Sequence, residues 1–126
     1  MSWINVHRFI FDVDGTLTPS RGKIDMDFGV FFTNFSAYNF VYLVTGSDKD
    51  KTIEQVGDEI YSFAKKVYNC SGSDVYTGNN NVFRNEWKLP VSAREWLEQE
   101  LADSDFPLRT GLHIEDRPGM VNFSVV

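Results

Sequence analysis

Apolar and polar positions follow two different periods along this chain, and the changes of period mark out its elements. Arg8 to Val13 (RFIFDV) is a short, nearly continuous apolar run, the pattern of a parallel strand buried on both faces. It runs into Asp14-Gly15-Thr16, where glycine permits a backbone turn that other residues resist. From Asp25 onward Phe28, Phe31, Phe32 and Phe35 fall at i, i+3, i+4 and i+7, one apolar helix face, with Asp25 or Asp27 placed to cap its start. Phe40 to Val44 (FVYLV) is a second buried strand, ending in Thr45-Gly46-Ser47-Asp48. A helix from about Asp50 turns Ile53, Val56 and Ile60 inward, and Lys66 to Cys70 is a weaker third strand. The order β-α-β-α-β predicts a parallel sheet with right-handed crossovers.

The second half has a different texture. Ser71 to Arg84 is rich in Gly, Asn and Ser around Val75-Tyr76 and Val82-Phe83, which predicts a hairpin or an irregular loop. Ser92-Ala93-Arg94-Glu95 has the form of a capping box, opening a helix with Ala93, Trp96, Leu97 and Leu101 inward. Gly111 to Ile114 and Met120 to Val126 read as two strands around the turn signal Arg117-Pro118-Gly119. The parallel pattern thus gives way to a helix and an antiparallel hairpin, and a boundary is expected near residue 83. Residues 1–82 would form a core and residues 83–126 the start of a second, α+β domain.

Composition narrows the partners. With 126 residues, 42% of them hydrophobic and eleven Phe, the chain has material for a packed core, which excludes a disordered chain. Its net charge of −6 is the wrong bias for a general nucleic-acid or anionic-membrane binder. An anionic ligand would have to be held by local Arg, Lys, backbone N–H groups or a bound cation. One cysteine, Cys70, excludes an intrachain disulfide and points to a reducing compartment. No apolar run nears the roughly 18 residues that span a bilayer, and the start lacks the form of a secretory signal. A cytoplasmic protein without nucleic-acid or membrane partners is expected. His7, His113 and Cys70 lack partners at catalytic or metal-binding spacing, so structural roles are expected for them. Trp87 and Trp96 are expected to pack in the second domain.

The chemistry concentrates in Asp12-Val13-Asp14-Gly15-Thr16. Strand alternation points both carboxylates the same way, at the sheet's carboxyl edge, where open α/β folds bind ligands. Two carboxylates this close are costly without a cation or proton between them. The arrangement suits Mg²⁺ bound by oxygen ligands, one carboxylate attacking and the other shuttling a proton. The plainer alternative is a surface pair that caps the next turn. Gly46 and Ser47 lead to a helix N-terminus, whose N–H groups and dipole favour an anion.

The run Asp12-Val13-Asp14-Gly15-Thr16 resembles the D-x-D-G-T signature of the haloacid-dehalogenase-like (HAD) phosphotransferase superfamily. The resemblance implies Asp12 as the nucleophile of an aspartyl-phosphate, and Asp14 as general acid/base with its main-chain carbonyl on Mg²⁺. It implies Thr45 as the hydroxyl gripping the phosphoryl group, followed by Gly46 and Ser47. The flanks are similar to the eukaryotic-type phosphomannomutase family in three islands. These are Asp12 to Arg21, Gly46-Ser47-Asp48 with Lys51, Glu54-Gln55 and Gly57, and Arg109 followed by Ile114 to Asn122. By those matches Arg21, Arg109 and Arg117 would bind a phosphosugar. The implied fold is α/β: an incomplete HAD-type Rossmann-like core with a parallel sheet, plus the start of an α+β cap domain.

Thr45 stands where the mutase family usually has Gly, and Thr is common in the superfamily's sugar phosphatases. The resemblance therefore implies either a phosphomannomutase-like transferase or a Cof-type sugar phosphatase. No segment after residue 70 resembles the family's later Lys or its acidic cluster. The chain is thus expected to be an N-terminal portion with negligible turnover of its own. A further alternative is an inactive homologue that only binds phosphosugar or a partner. A homodimer or association through exposed strands is expected: Arg8–Val13, Met120–Val126, and first the Gly111–Val126 hairpin.

Overall fold

In a computed structural model that describes residues 6–126, the chain forms two compact units, one ending at Arg84 and the other beginning at Asn85. Met1 to Asn5, on which most of the secretory-signal reading rests, lie outside the described residues.

The first unit holds β1 (Arg8–Asp12), α1 (Met26–Tyr38), β2 (Phe40–Val44), α2 (Lys49–Val56), α3 (Asp58–Phe63), β3 (Lys66–Asn69), β4 (Asp74–Thr77) and β5 (Asn80–Arg84). They build a five-stranded sheet in the order β1-β2-β3-β4-β5. The first three strands are parallel, with Arg8 level with Phe40 and Asp12 level with Val44. The last two add on antiparallel, so the Gly/Asn-rich stretch is a hairpin that extends this sheet. The α/β class and the Rossmann-like β-α-β-α-β core are as expected.

One face of the sheet is packed. Val41, Leu43 and Val67 are wholly buried there against Phe32, Val56, Ile60, Tyr61 and Ala64. Each such aliphatic side chain contributes about 1.5–3 kcal/mol. Phe9 and Phe11 meet Phe35 and Phe32 edge-on, at 5.2 and 5.0 Å between ring centres. Asp25 caps α1 by accepting from the Phe28 N–H at 3.0 Å.

Four expectations are corrected here. β1 is not buried on both faces: Arg8, Ile10 and Asp12 are exposed, Ile10 at 70%. The Phe stripe of α1 is only partly core, because Phe28 and Phe31 stay 38% and 62% exposed beside buried Phe32. The helix expected from Asp50 is two helices, broken where Gly57 takes φ +88°. The run Asn79-Asn80-Asn81, by composition expected to be a turn, keeps only Asn79 there: Asn80 and Asn81 lie in β5, and the Asn81 amide donates to Asp74 Oδ1 at 2.8 Å.

The second unit contains α4 (Val91–Asp103), β6 (Ile114–Arg117) and β7 (Met120–Phe123). β6 and β7 pair antiparallel about a turn in which Gly119 takes φ +69°. The expected strand Gly111–Ile114 is displaced, since only its last residue is extended in the pair. The capping box is not used. The Arg94 N–H donates to Pro90 O at 3.0 Å, so the helix starts before Ser92 and has no side-chain cap. α4 buries no residue fully, and Trp96 is 61% exposed rather than inward. Among the described residues no helix is long and apolar enough to cross a membrane.

Candidate functional site

β1 ends at Asp12 and β2 at Val44, in register, so Asp12 and Thr45 lie at the same edge of two adjacent parallel strands. Such strands are about 4.8 Å apart. The chain leaves β1 through a tight turn whose N–H groups converge on one oxygen. Thr16, Leu17 and Thr18 donate to Val13 O at 3.1, 2.9 and 3.1 Å, and Gly15, at φ +78°, donates to Thr18 O at 2.9 Å. Val13 and Leu17 anchor this turn in the core, which fixes the residues on either side of Val13.

Asp12 is exposed, and one of its oxygens accepts from the Thr16 hydroxyl at 3.2 Å. Asp14 is half-buried and differently held. Its Oδ1 accepts from Gln55 Nε2 at 3.0 Å and from the Arg21 backbone N–H. The two carboxylates of one motif thus have different surroundings: one open, one positioned. Arg21 is brought to the same turn, but it is its backbone, at φ +57°, that reaches Asp14.

Thr45 is buried, and its Oγ1 accepts from the Ser47 N–H at 3.1 Å, keeping its own proton to donate. The loop is braced from β3: Thr45 N–H donates to Tyr68 O, Ser71 N–H to Thr45 O, and Cys70 N–H to Ser47 O, at 2.9–3.0 Å. Asp48 then caps α2 through the Lys51 N–H at 2.9 Å. Gly46 is exposed at the tip, and a Cβ there would meet only Ser71 Oγ at 3.8 Å.

The bracing residues come from a strained turn. Cys70, Ser71 and Gly72 all take positive φ, at 51°, 58° and 92°. The sequence placed Gln55 in a motif match and Cys70 in a structural role, without linking either to the support of this site. A buried polar residue on the inner side of α2 is the signal that marks Gln55.

In the second unit Arg109 is occupied. Its guanidinium donates to Phe106 O, Val125 O and Ser104 O at 2.6, 2.7 and 2.8 Å, tying the end of α4 to the last residues. Those bonds hold the guanidinium against main-chain carbonyls within the unit. Arg117 is half-buried on β6, and its Nη2 donates to Glu115 Oε2 at 3.1 Å. His113 Nδ1 meets Ser124 O at 3.0 Å, and the His7 ring lies 6.4 Å from that of Phe9, both structural placements.

Asp12 and Asp14 offer the hard oxygen donors that Mg²⁺ prefers. Among the described residues, however, no group of three or more His, Cys, Asp or Glu converges. A groove of about 540 Å³ runs along the exposed sheet face, lined by Ile10, Tyr42, Val44, Tyr68 and neighbours, beside the two aspartates rather than around them.

No protein-family model matches the chain. It is 32% identical over 125 residues to the phosphomannomutase of Encephalitozoon cuniculi, covering 94% of this chain and 48% of that protein. Against the phosphomannomutase of Galdieria sulphuraria it is 34% identical over 128 residues, 93% of this chain and 49% of that protein. Human phosphomannomutase 1 is 30% identical over 125 residues, with coverages of 93% and 48%. The chain spans about half the length of the curated relatives it matches.

Among solved structures, a hypothetical protein from Geobacillus kaustophilus superposes at TM-score 0.51 with 17% identity, over 79% of this chain and 38% of that one. An IMP-bound, N-terminally truncated IMP-nucleotidase from Plasmodium falciparum superposes at 0.50 with 11% identity, over 92% and 39%. These likenesses carry the fold alone, and they agree with a Rossmann-like α/β core. Over nearly all of its residues, the chain is similar to about half of a phosphomannomutase.

Proposed function

We propose that this chain carries the phosphoryl-accepting edge of a phosphomannomutase-like transferase acting on hexose phosphates. The observation that carries the reading is the alignment of Asp12 and Thr45 on neighbouring strand ends, with Asp14 held apart by Gln55 and the Arg21 N–H. Asp12, exposed and accepting from the Thr16 hydroxyl at 3.2 Å, is the nucleophile. Its carboxylate oxygen bonds to phosphorus as the phosphorus–oxygen bond to the donor breaks. Asp14 gives its proton to the departing oxygen and later takes one from the next acceptor. The Thr45 hydroxyl, steadied by the Ser47 N–H, donates to a phosphoryl oxygen.

Mg²⁺ would be held by the Asp12 carboxylate and the Asp14 main-chain carbonyl, and it supplies neutralisation of phosphoryl charge. With so few charged ligands its binding is weak. Arg21, Arg109 and Arg117 are the candidate contacts to the sugar phosphate, Arg109 on release of its bonds to main-chain carbonyls. Thr45 in place of Gly supports a second reading, hydrolysis of a sugar phosphate.

The test is transfer from acetyl phosphate in the presence of Mg²⁺, followed by intact-mass spectrometry and hydroxylamine treatment. The expected result is a hydroxylamine-labile phosphoryl adduct that is absent in Asp12→Asn. Passage of that phosphate to a hexose monophosphate marks a mutase, and its release to water marks a phosphatase. An adduct that survives Asp12→Asn refutes both readings.

A further inference from the structure

We propose that Thr52 is a positioning residue for the phosphoryl-binding edge. Held in turn by Asn69 and Tyr61, it fixes Asp48, and with it the Ser47 N–H that steadies the Thr45 hydroxyl. This role rests on the reading of Thr45 as a phosphoryl contact.

The three side chains form a line of hydrogen bonds with one direction. The Tyr61 hydroxyl donates to Asn69 Oδ1 at 2.8 Å, Asn69 Nδ2 donates to Thr52 Oγ1 at 3.0 Å, and the Thr52 hydroxyl donates to Asp48 O at 2.7 Å. Thr52 and Asn69 are wholly buried, and Tyr61 almost so. Polar groups this deep are costly unless they are paired. Valine at position 52 would fill nearly the same volume and need no partner, so packing alone does not call for this line. What the polar groups add is its end point. The Asp48 carbonyl also accepts from the Thr52 N–H at 3.0 Å, and the Asp48 carboxylate accepts from the Lys51 N–H at 2.9 Å. Main chain and side chain of Asp48 are thus both tied to the first turn of α2.

Asn69 lies in a stretch whose successive residues all hold the same loop. Tyr68 O accepts from the Thr45 N–H at 3.0 Å, while the Cys70 N–H donates to Ser47 O and the Ser71 N–H to Thr45 O, each at 2.9 Å. Those main-chain bonds hold Thr45 and Ser47; the Asn69 side chain, through Thr52, holds Asp48. The Ser47 N–H lies one residue before the held carbonyl and donates to Thr45 Oγ1 at 3.1 Å. A shift of Asp48 turns that N–H away from the oxygen, and the hydroxyl loses its fixed direction. A donor already aimed needs no reorganisation when phosphoryl charge arrives, which is the advantage of holding it.

Two measurements on the full chain test this in Thr52→Val and Thr52→Ser, with circular dichroism to confirm folding: amide hydrogen exchange, and the rate of the Asp12 adduct from acetyl phosphate with Mg²⁺. Thr52→Val keeps the shape and removes the hydroxyl. Its Ser47 N–H is expected to exchange faster relative to the sheet amides of Leu43 and Val67, and its adduct to form about two- to tenfold more slowly. Thr52→Ser returns the hydroxyl and is expected to recover both. In a Thr45→Val background Thr52→Val is expected to slow the adduct no further, because its influence passes through the Thr45 hydroxyl. Should Thr52→Val fail to fold, Thr52→Ala, with a better helix former, takes its place. Ser47 exchange that quickens no more than that of the sheet, an equal slowing with and without the Thr45 hydroxyl, or a Thr52→Ser as slow as Thr52→Val overturns the proposal. Absence of any adduct on the unaltered chain counts against the phosphoryl-transfer reading instead, and Ser47 exchange then decides the positioning by itself.

Discussion

Gln55 illustrates how a single residue sets the difference between two carboxylates of one motif. It is buried inside α2, yet its amide reaches Asp14 at 3.0 Å. Gln55→Leu removes that donor and leaves Asp14 less well placed. Slower phosphoryl transfer is expected, with Asp12 still the residue modified, as the acetyl phosphate assay would read. Arg109→Ala is expected to cost about 1–2 kcal/mol through its lost bonds to carbonyls, discounted for its exposure. Hydrogen exchange should then quicken across residues 104–126. Unchanged exchange with weakened sugar-phosphate binding would point to the binding role that sequence similarity suggested.

Tyr61 belongs to the same scale. Its buried hydroxyl donates to Asn69 Oδ1 at 2.8 Å, and Asn69 Nδ2 donates to Thr52 Oγ1 at 3.0 Å. Burial first, then Tyr76, Asp74 and Asp50, push its ionisation well above the ordinary 10.0. The folded state thus keeps a proton that the unfolded chain loses from about pH 10 upward. Its contribution is full below that pH and falls as pH rises beyond it. Tyr61→Phe is expected to lose about 1–2 kcal/mol at pH 7, from the broken bond and the Asn69 oxygen left behind. It is also expected to flatten the alkaline fall. Denaturant midpoints from pH 7 to 11 check this, and equal slopes in both proteins would contradict it.

Among the elements, Gly57 shows where a helical period misleads. Ile53, Val56 and Ile60 keep their inward spacing across a break at φ +88° and ψ 162°, a region open essentially only to glycine. Gly57→Ala meets no neighbour within 4 Å, so its cost is conformational, about 1–3 kcal/mol. Chemical denaturation measures it, and a neutral substitution would contradict the argument. β2 was legible to the residue, because its apolar run is bounded by Asn39 and Thr45. The exposed face of β1 was not legible, since an apolar strand does not reveal which of its faces another element covers. The capping box failed for a related reason. Pro90, with φ near −57°, already starts the helix before Ser92.

For the whole molecule, a net charge of −6 leaves anion binding to local groups, and on the proposed reading the buried Thr45 hydroxyl at the end of β2 is the first of them. The motif Asp12-Val13-Asp14-Gly15-Thr16 and the Thr45 loop could be read from the sequence because each sits directly after an apolar strand. Their bracing by Ser71 and Gln55 could not, because it depends on the parallel pairing of β2 with β3 and on the packing of α2. The central claim is that Asp12 accepts a phosphoryl group at this edge. Fluoroberyllate, which mimics a carboxylate-bound phosphoryl group, tests it most directly by ¹⁹F NMR in the presence of Mg²⁺. The account predicts bound resonances that require Mg²⁺, weaken in Thr45→Val and vanish in Asp12→Asn. No bound resonance in the unaltered chain, or one that persists in Asp12→Asn, would contradict it.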